Sequence, residues 1–183
     1  MLRLSSNSTS PVLSENSTSN LLTTLSDLET FNAEEYAKET YSSLAPNHMS
    51  LSCFVHFCLA WQIAAQIYTS RVLFTLTTLP PHPVSPLVSR LISHCKVVTT
   101  ECIGIKCFVW PVFIAGVECE DEDREWVAGA LDQFWQLYLG KNVKAVASVL
   151  KILWMKKDGR KTEDGEWNWI REIYLLDVDG LLS

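Results

Sequence analysis

The sequence predicts an all-α fold, organised as a single multi-helix domain. Apolar side chains recur at spacings of three and four residues along several segments, which is the period of an amphipathic helix. Prolines and capping residues divide those segments at intervals of helical length. Two stretches that could pair as strands, residues 97–98 and 103–109, are short and lie between helical neighbours. With 183 residues and 48% hydrophobic content, the chain is long enough to bury one sizeable core.

The first 25 residues are rich in Ser, Thr and Asn and contain few large apolar side chains. Such a segment buries too little surface to offset the entropy of ordering, so we expect a disordered tail or linker over residues 1–25. Residues 26–183 then form the helical domain. Its first helix is expected to begin with Ser26 as the N-cap, to carry Asp27 near its positive end, and to end before Pro46.

A long apolar helix is expected from about residue 50 to residue 78. Residues 51–70 contain no charged side chain and are numerous enough to span a bilayer. At about 100° per residue, however, five polar side chains of this segment fall within roughly a 120° arc. These are Ser52, His56, Gln62, Gln66 and Ser70. A polar stripe of this kind favours a core helix with one wetted edge over a membrane span.

The segment Trp110-Pro111-Val112-Phe113-Ile114-Ala115-Gly116 predicts a buried helix. Proline has a fixed φ and no N–H, so Pro111 suits the first turn of a helix. Trp110 is a large anchor at the entry, and the apolar residues 112–115 leave no solvated side. An acidic run up to Asp123 follows and is expected to start the next helix.

The remaining helices are predicted from caps and apolar stripes. Ser85, as an N-cap followed by Pro86, restarts the chain after the prolines between 80 and 83. A long helix is expected over residues 121–139. Asn142 is expected to cap the next helix, whose apolar stripe is the clearest in the chain. Its members are Val143, Val146, Ala147, Leu150, Leu153 and Trp154. The last helix is expected to carry Trp167, Ile170 and Ile173.

The tryptophan-proline segment also carries a family resemblance. Its order Trp-Pro-(apolar)-Phe-Ile-Ala-Gly, placed before a helix that starts with acids, resembles the carboxyl-terminal, middle-homology-type regulatory domain of fungal zinc-cluster transcription factors. Trp154, Asp158 and Trp167 are similar to the final helices of that family. The similarity covers roughly residues 50 to 183, so a partial regulatory domain is expected. It implies an architectural role for seven residues: Trp110, Pro111, Phe113, Ala115, Gly116, Trp154 and Trp167.

The resemblance implies a function in the nucleus, where the chain would control RNA polymerase II transcription through partners of the transcription machinery or a small effector. A homodimer is also compatible with it. In the family, zinc belongs to a DNA-binding module built on six cysteines. This chain also has six cysteines, but none of them forms a Cys-x-x-Cys pair, so that module is absent here. The net charge of −6 further disfavours specific DNA binding by this chain alone.

No motif nominates catalysis, a cofactor or a metal. The glycines form no phosphate-binding loop, and no Gly-x-Ser-x-Gly sequence occurs. His94, Cys95, Cys102 and Cys107 lie within fourteen residues, but their spacing fits no standard zinc pattern. We therefore assign no catalytic, cofactor-binding or metal-ligating residue and interpret the cysteines as reduced core thiols.

The charged clusters are interpreted structurally. The acids between Glu118 and Asp123 are expected to form a solvated loop and a helix start that the macrodipole stabilises. The basic cluster is interpreted as a helix end and a solvated turn. It comprises Lys151, Lys156, Lys157, Arg160 and Lys161.

Two other functions stay open at the level of the sequence. The chain could be a free-standing helical protein-interaction module, derived from a truncated relative of the family. A membrane-associated protein, anchored through residues 51–70, is the less favoured alternative.

Overall fold

Eight α-helices form the described part of the chain. The computed structural model describes residues 15–46, 48–77, 83–102, 106–138, 141–160 and 167–175. In chain order the helices are α1 (Glu15–Thr30), α2 (Ala33–Leu44), α3 (Leu51–Leu76), α4 (Ser85–Glu101), α5 (Val109–Glu118), α6 (Asp121–Tyr138), α7 (Lys141–Asp158) and α8 (Trp169–Leu175). A 3-10 turn, Lys106–Phe108, leads into α5. No strand occurs within these ranges, and the all-α prediction is confirmed.

The helices α3 and α5 lie at the centre of the fold. α3 packs against α1, α2, α4, α5 and α8, while α5 packs against α3, α4, α6 and α7. Buried side chains of α2 to α8 belong to one continuous apolar cluster. As predicted, α5 is buried along most of its length and has Pro111 in its first turn. A substitution that changes the size of a buried side chain in α5 therefore affects several neighbouring helices at once.

α3 is the one described helix that is long and apolar enough to cross a membrane. Five other helices surround it in the fold. Its first turn is capped by Ser50, whose Oγ accepts a hydrogen bond from the Cys53 N–H at 3.0 Å. This is the position of a central core helix, as the polar stripe predicts.

The predicted wetted edge is confirmed only in part, since the early positions of the stripe are exposed or half-buried. Gln66 and Ser70 are buried. Gln62 Nε2 donates to the carbonyl oxygens of Leu28 and Phe31, both at 2.6 Å, and Gln66 Nε2 donates to Leu28 O at 2.8 Å. The last carbonyls of a helix have no partner within it. The two glutamines of the stripe therefore face the carboxyl end of α1 and supply donors that this end lacks.

The start of the first helix also differs from the prediction. Ser26 lies inside α1, where its carbonyl accepts a bond from Thr30 Oγ1 at 3.0 Å. α1 begins at Glu15, so the tail boundary placed at residue 25 falls within a helix. A cap residue does separate two helices, but it is Asn32, whose Oδ1 accepts from the Glu35 N–H at 3.1 Å. α1 gains its order from α3, whose glutamines bind its carbonyl end.

Smaller differences concern the other helix ends. Ser85 is the first residue of α4, and Val84 occupies the cap position. Asn142 lies inside α7, one residue after its start, and Trp167 precedes α8 by two residues. The predicted apolar stripe of α7 is confirmed, with Val143, Leu150 and Leu153 buried. Predictions for residues 1–14 and for the prolines at 80 and 81 lie outside the described residues.

Candidate functional site: the carboxyl end of α5

Two tryptophan side chains bind the backbone at the carboxyl end of α5. Trp154 Nε1, on α7, donates to Gly116 O at 2.8 Å. Trp167 Nε1, in the segment before α8, donates to Val117 O at 3.3 Å. These carbonyls belong to the last turn, where a helix provides no N–H of its own. Because the end is buried, a carbonyl without a donor there would cost free energy. Both tryptophans thus satisfy groups that water cannot reach.

Lys157 completes the set of donors at this helix end. Its Nζ lies 3.4 Å from Glu118 O and 3.0 Å from Cys119 O, and it also pairs with the Glu120 carboxylate at 3.1 Å. A cation at this position also interacts favourably with the negative end of the helix dipole. Together with Trp154 and Trp167, the lysine gives the last three carbonyls of α5 and the carbonyl of the cap residue Cys119 a donor from another part of the chain.

A buried ion pair joins this end of α5 to α3. Arg71 Nε and Nη2 donate to the two carboxylate oxygens of Glu118 at 2.7 and 2.8 Å. The side chains are only 6% and 3% exposed. Trp169 Nε1 donates to the same carboxylate at 2.9 Å. Charges this deep persist only when they are paired and hydrogen-bonded, and the fork of arginine matches both carboxylate oxygens.

Asn168 ties the start of α8 to α3 beside that pair. Its Nδ2 donates to Arg71 O at 3.1 Å and to Thr75 Oγ1 at 2.8 Å. Its Oδ1 accepts from the Ile170 N–H at 3.1 Å, as a capping side chain does. Asn168 is 2% exposed, and its bonds to Arg71 O and to the Ile170 N–H are buried.

Gly116 marks the closest approach of α5 to α6 and α7. A Cβ at this position would lie 2.8 Å from Val127 Cγ1 and 2.9 Å from Leu150 Cδ2. Both distances are shorter than carbon atoms tolerate, so only glycine fits without movement of a neighbour. The absence of a side chain also leaves Gly116 O open to the indole of Trp154.

Aromatic rings continue the cluster along the other side of α5. Trp110 stacks on Trp61 of α3, with ring centroids 4.9 Å apart and planes inclined by 21°. Phe113 meets Trp169 edge to face at 5.9 Å. Such pairs stabilise a contact beyond the area that they bury. The structure thus gathers the seven motif residues around one helix: Trp110, Pro111, Phe113, Ala115 and Gly116 lie on it, and Trp154 and Trp167 bind its end.

The histidine and cysteine residues considered as a zinc set do not converge. Among the described residues no group of three or more His, Cys, Asp or Glu side chains could hold a metal ion. His94 instead faces His56 of α3, with their Nδ1 atoms 2.8 Å apart. Burial is the main reason that the pKa of His94 is lowered, and the nearby His56 and Arg90 add to it. Burial likewise raises the pKa of Cys95 and, to about 11, that of Cys119.

The interpretation of the acidic run as wholly solvated is wrong for Glu118. It is buried in the ion pair described above, whereas Glu120 and Asp121 are exposed. Asp123 pairs with Lys96 of α4 at 2.7 Å. Asp121 pairs with Arg124 one turn later at 3.1 Å. Only the later acids of the run therefore act as a charged helix start.

The described residues of the basic cluster make separate contacts. Lys156 pairs with Glu172 of α8 at 2.8 Å, and Lys157 binds the end of α5. The Arg160 guanidinium lies over the Trp167 ring, 5.6 Å from its centroid. Lys151 is exposed on α7, and Lys161 lies outside the described residues. The described members do not form a common phosphate-binding patch.

Two cavities adjoin the α5 end. A cleft of about 460 Å³ opens over the Arg71–Glu118 pair, between α4 and the start of α6. A second cavity, of about 230 Å³, lies between α6 and α7 and has Trp154 in its wall.

Sequence reasoning missed the Arg71–Glu118 pair, although a signal was present. Arg71 is the only charged residue of α3, and Glu118 is the only charged residue of α5. A lone charge in an otherwise apolar helix is seldom buried without a partner of opposite sign. Applied to the sequence alone, that rule pairs the two residues and brings α3 against α5.

Comparison with known proteins identifies a family for this chain. No curated protein and no solved structure matched the chain. One family model, described as the fungal specific transcription factor domain, matches residues 2–182. Because this match spans nearly the whole chain, the protein belongs to the fungal specific transcription factor domain family.

Proposed function

We propose that the chain is the regulatory part of a fungal transcription factor that acts in the nucleus on RNA polymerase II transcription. The family match over residues 2–182 is the observation that carries this proposal, and it supports a role in transcription regulation. DNA recognition would reside in a zinc cluster outside these residues, since no Cys-x-x-Cys pair occurs in the sequence. Regulation would pass through partners of the transcription machinery or a small effector.

The charged and aromatic side chains at the end of α5 are engaged in contacts between helices, and this supports a regulatory role without catalysis. Among the described residues, the most deeply buried charged groups are Arg71 and Glu118, which bind each other, and Glu118 also accepts from the Trp169 indole. Trp154, Trp167 and Lys157 are engaged with backbone carbonyls. These groups couple helices from both halves of the chain. A domain built this way suits the transmission of a binding event from one surface to another.

A tethering experiment tests the proposal. The full chain is fused to a heterologous DNA-binding domain and placed upstream of a reporter gene in fungal cells. We expect a change in reporter transcript of severalfold, in either direction, and nuclear accumulation of the chain without the fusion. Glu34→Gln, an exposed charge change, should keep the effect. A folded, nuclear fusion that leaves transcript unchanged would contradict the proposal.

DNA binding by the chain alone is the complementary measurement. We expect no sequence-selective gel shift at physiological salt, because 15 basic residues face 21 acidic ones. A salt-resistant, sequence-selective shift by the purified chain would refute the assignment of DNA recognition to a separate module.

A further inference from the structure

The cavity between α6 and α7 is mainly apolar, and small side chains on both helices leave room for it. Its volume is about 230 Å³, and Leu131, Leu150, Trp135 and Trp154 contribute to its walls. Two alanines, Ala128 on α6 and Ala147 on α7, also line it. Larger side chains at these positions would close the gap between the helices. A cavity of roughly 150 Å³ already admits benzene, so this one has room for a body of about eight carbon atoms.

Two lysines border this cavity, and their environment differs from that of the other lysines. Lys144 and Lys151 are seven residues apart on α7, and so lie on the same face of the helix. Within the described ranges neither has a carboxylate partner. The other lysines whose side chains are described all have one, and these are Lys38, Lys96, Lys156 and Lys157.

The remaining polar groups of the lining leave the two ammonium groups available. Lys144 Nζ lies over the Trp135 ring, 3.9 Å from its centroid, so its position is fixed by the aromatic face. Asp132, the carboxylate in the lining, accepts a hydrogen bond from Gln136 Nε2 at 2.7 Å. The border therefore carries two cations and one anion, although the whole chain has a net charge of −6.

We propose that this cavity binds a small amphipathic carboxylic acid. The apolar body of the acid occupies the space between Leu131 and Leu150, and its carboxylate lies at the border, where Lys144 and Lys151 supply charge-assisted hydrogen bonds. The attraction for the carboxylate must come from these two lysines, because the negative charge of the chain as a whole repels an anion.

A ligand in this cavity would contact the side chain that holds the end of α5. Trp154 lines the cavity and donates through Nε1 to Gly116 O. The bound acid would therefore stabilise the orientation of this indole and the contact between α5 and α7. A regulatory meaning of this effect rests on the proposed transcriptional function, whereas binding itself does not.

Calorimetry on the purified full chain tests the proposal with octanoate, octanol and octylamine, each below its solubility limit and below any micellar concentration. We expect saturable one-to-one binding of octanoate, at least tenfold tighter than that of octanol, and no saturable binding of octylamine. The double variant Lys144→Gln/Lys151→Gln should bind octanoate no more tightly than octanol. Removal of two paired lysines, Lys38→Gln/Lys96→Gln, should leave the preference for octanoate intact.

A cavity-filling variant locates the site. Ala147→Leu should abolish octanoate binding while the thermal unfolding transition remains cooperative. Ser148→Leu, at the next and exposed position of α7, should bind octanoate like the original chain. No saturable octanoate binding, equal affinity for octanol, or binding that survives in a folded Ala147→Leu variant would overturn the proposal. These results leave the reporter experiment unaffected, so failure here is distinct from failure of the transcriptional role.

Discussion

Gly116 shows how a single residue determines the spacing of three helices. Its missing side chain is the reason that Val127 of α6 and Leu150 of α7 can both reach the backbone of α5. Val127 is β-branched and has little rotameric freedom in a helix, so it cannot easily turn away from a new methyl group.

We therefore expect Gly116→Ala to destabilise the fold by about 1–3 kcal/mol, as overpacking does. Gly129→Ala is the matched control, because a Cβ at this helical position meets nothing within 4 Å. The control should be neutral or stabilising by up to about 1 kcal/mol, since alanine favours the helix. Urea unfolding of both variants measures the difference, and equal stability of the two would contradict the close packing at Gly116.

Glu118 is the residue on which the buried charge of Arg71 depends. Glu118→Gln keeps an oxygen for the Trp169 indole but leaves the guanidinium without a counter-charge. We expect a loss of about 3–5 kcal/mol in the free energy of unfolding, the usual cost of breaking a buried pair. Glu34→Gln, which removes half of an exposed pair with Lys38, should leave it nearly unchanged, because solvent screens such a pair. A Glu118→Gln variant as stable as the control would show that the pair is solvated in solution.

At the scale of single elements, the end of α5 depends on donors from distant parts of the chain. We expect Trp154→Phe to cost about 1–3 kcal/mol more than Trp126→Phe, because only the former removes a donor from a buried carbonyl. Trp126, with Lys96 near its ring, matches the loss of indole area. Chemical denaturation of the two variants measures the difference. Equal costs would mean that Gly116 O has another adequate donor.

The α3–α4 contact contains the facing histidines, His56 and His94. A hydrogen bond between two Nδ1 atoms needs one nitrogen that carries a proton and one that does not, so this contact requires a free acceptor nitrogen. The lowered pKa of His94 means that the unfolded chain binds this proton more readily than the folded chain. Stability from this group is therefore present above about pH 6.5, the ordinary value for histidine, and is lost as the pH falls through the folded pKa of His94.

Thermal unfolding between pH 7.5 and pH 5 measures this dependence. We expect the stability of the original chain to fall across this window and His94→Gln to flatten the decline. His48→Gln, at an exposed position, serves as the control and should keep it. A decline unchanged by His94→Gln would exclude the histidine pair as its source.

The sequence predicted those elements whose helical form depends on their own residues. The stripe of α7 and the apolar run of α5 needed only local periodicity, so both helices were predicted nearly to their ends. α1 was misjudged because its carbonyl end is satisfied by Gln62 and Gln66, which lie more than thirty residues away. The donors at the α5 end were missed for the same reason. The family motif named Trp154 and Trp167, but only the fold shows which carbonyls they bind.

For the molecule as a whole, α5 and its carboxyl end hold the domain together. α1 is the natural contrast within the chain, since most of its described side chains are exposed or half-buried and Leu25 is the one that is buried. Elements with few buried contacts open locally, whereas core helices exchange their amide hydrogens only when the whole domain unfolds.

Native-state hydrogen exchange across the chain tests this role of α5. The amides of α5 from Phe113 to Cys119 should exchange with a free energy equal to that of global unfolding by denaturant, and those of α1 should exchange with a smaller one. Exchange of α5 at the rate of α1, while α6 and α7 remain protected, would contradict the account.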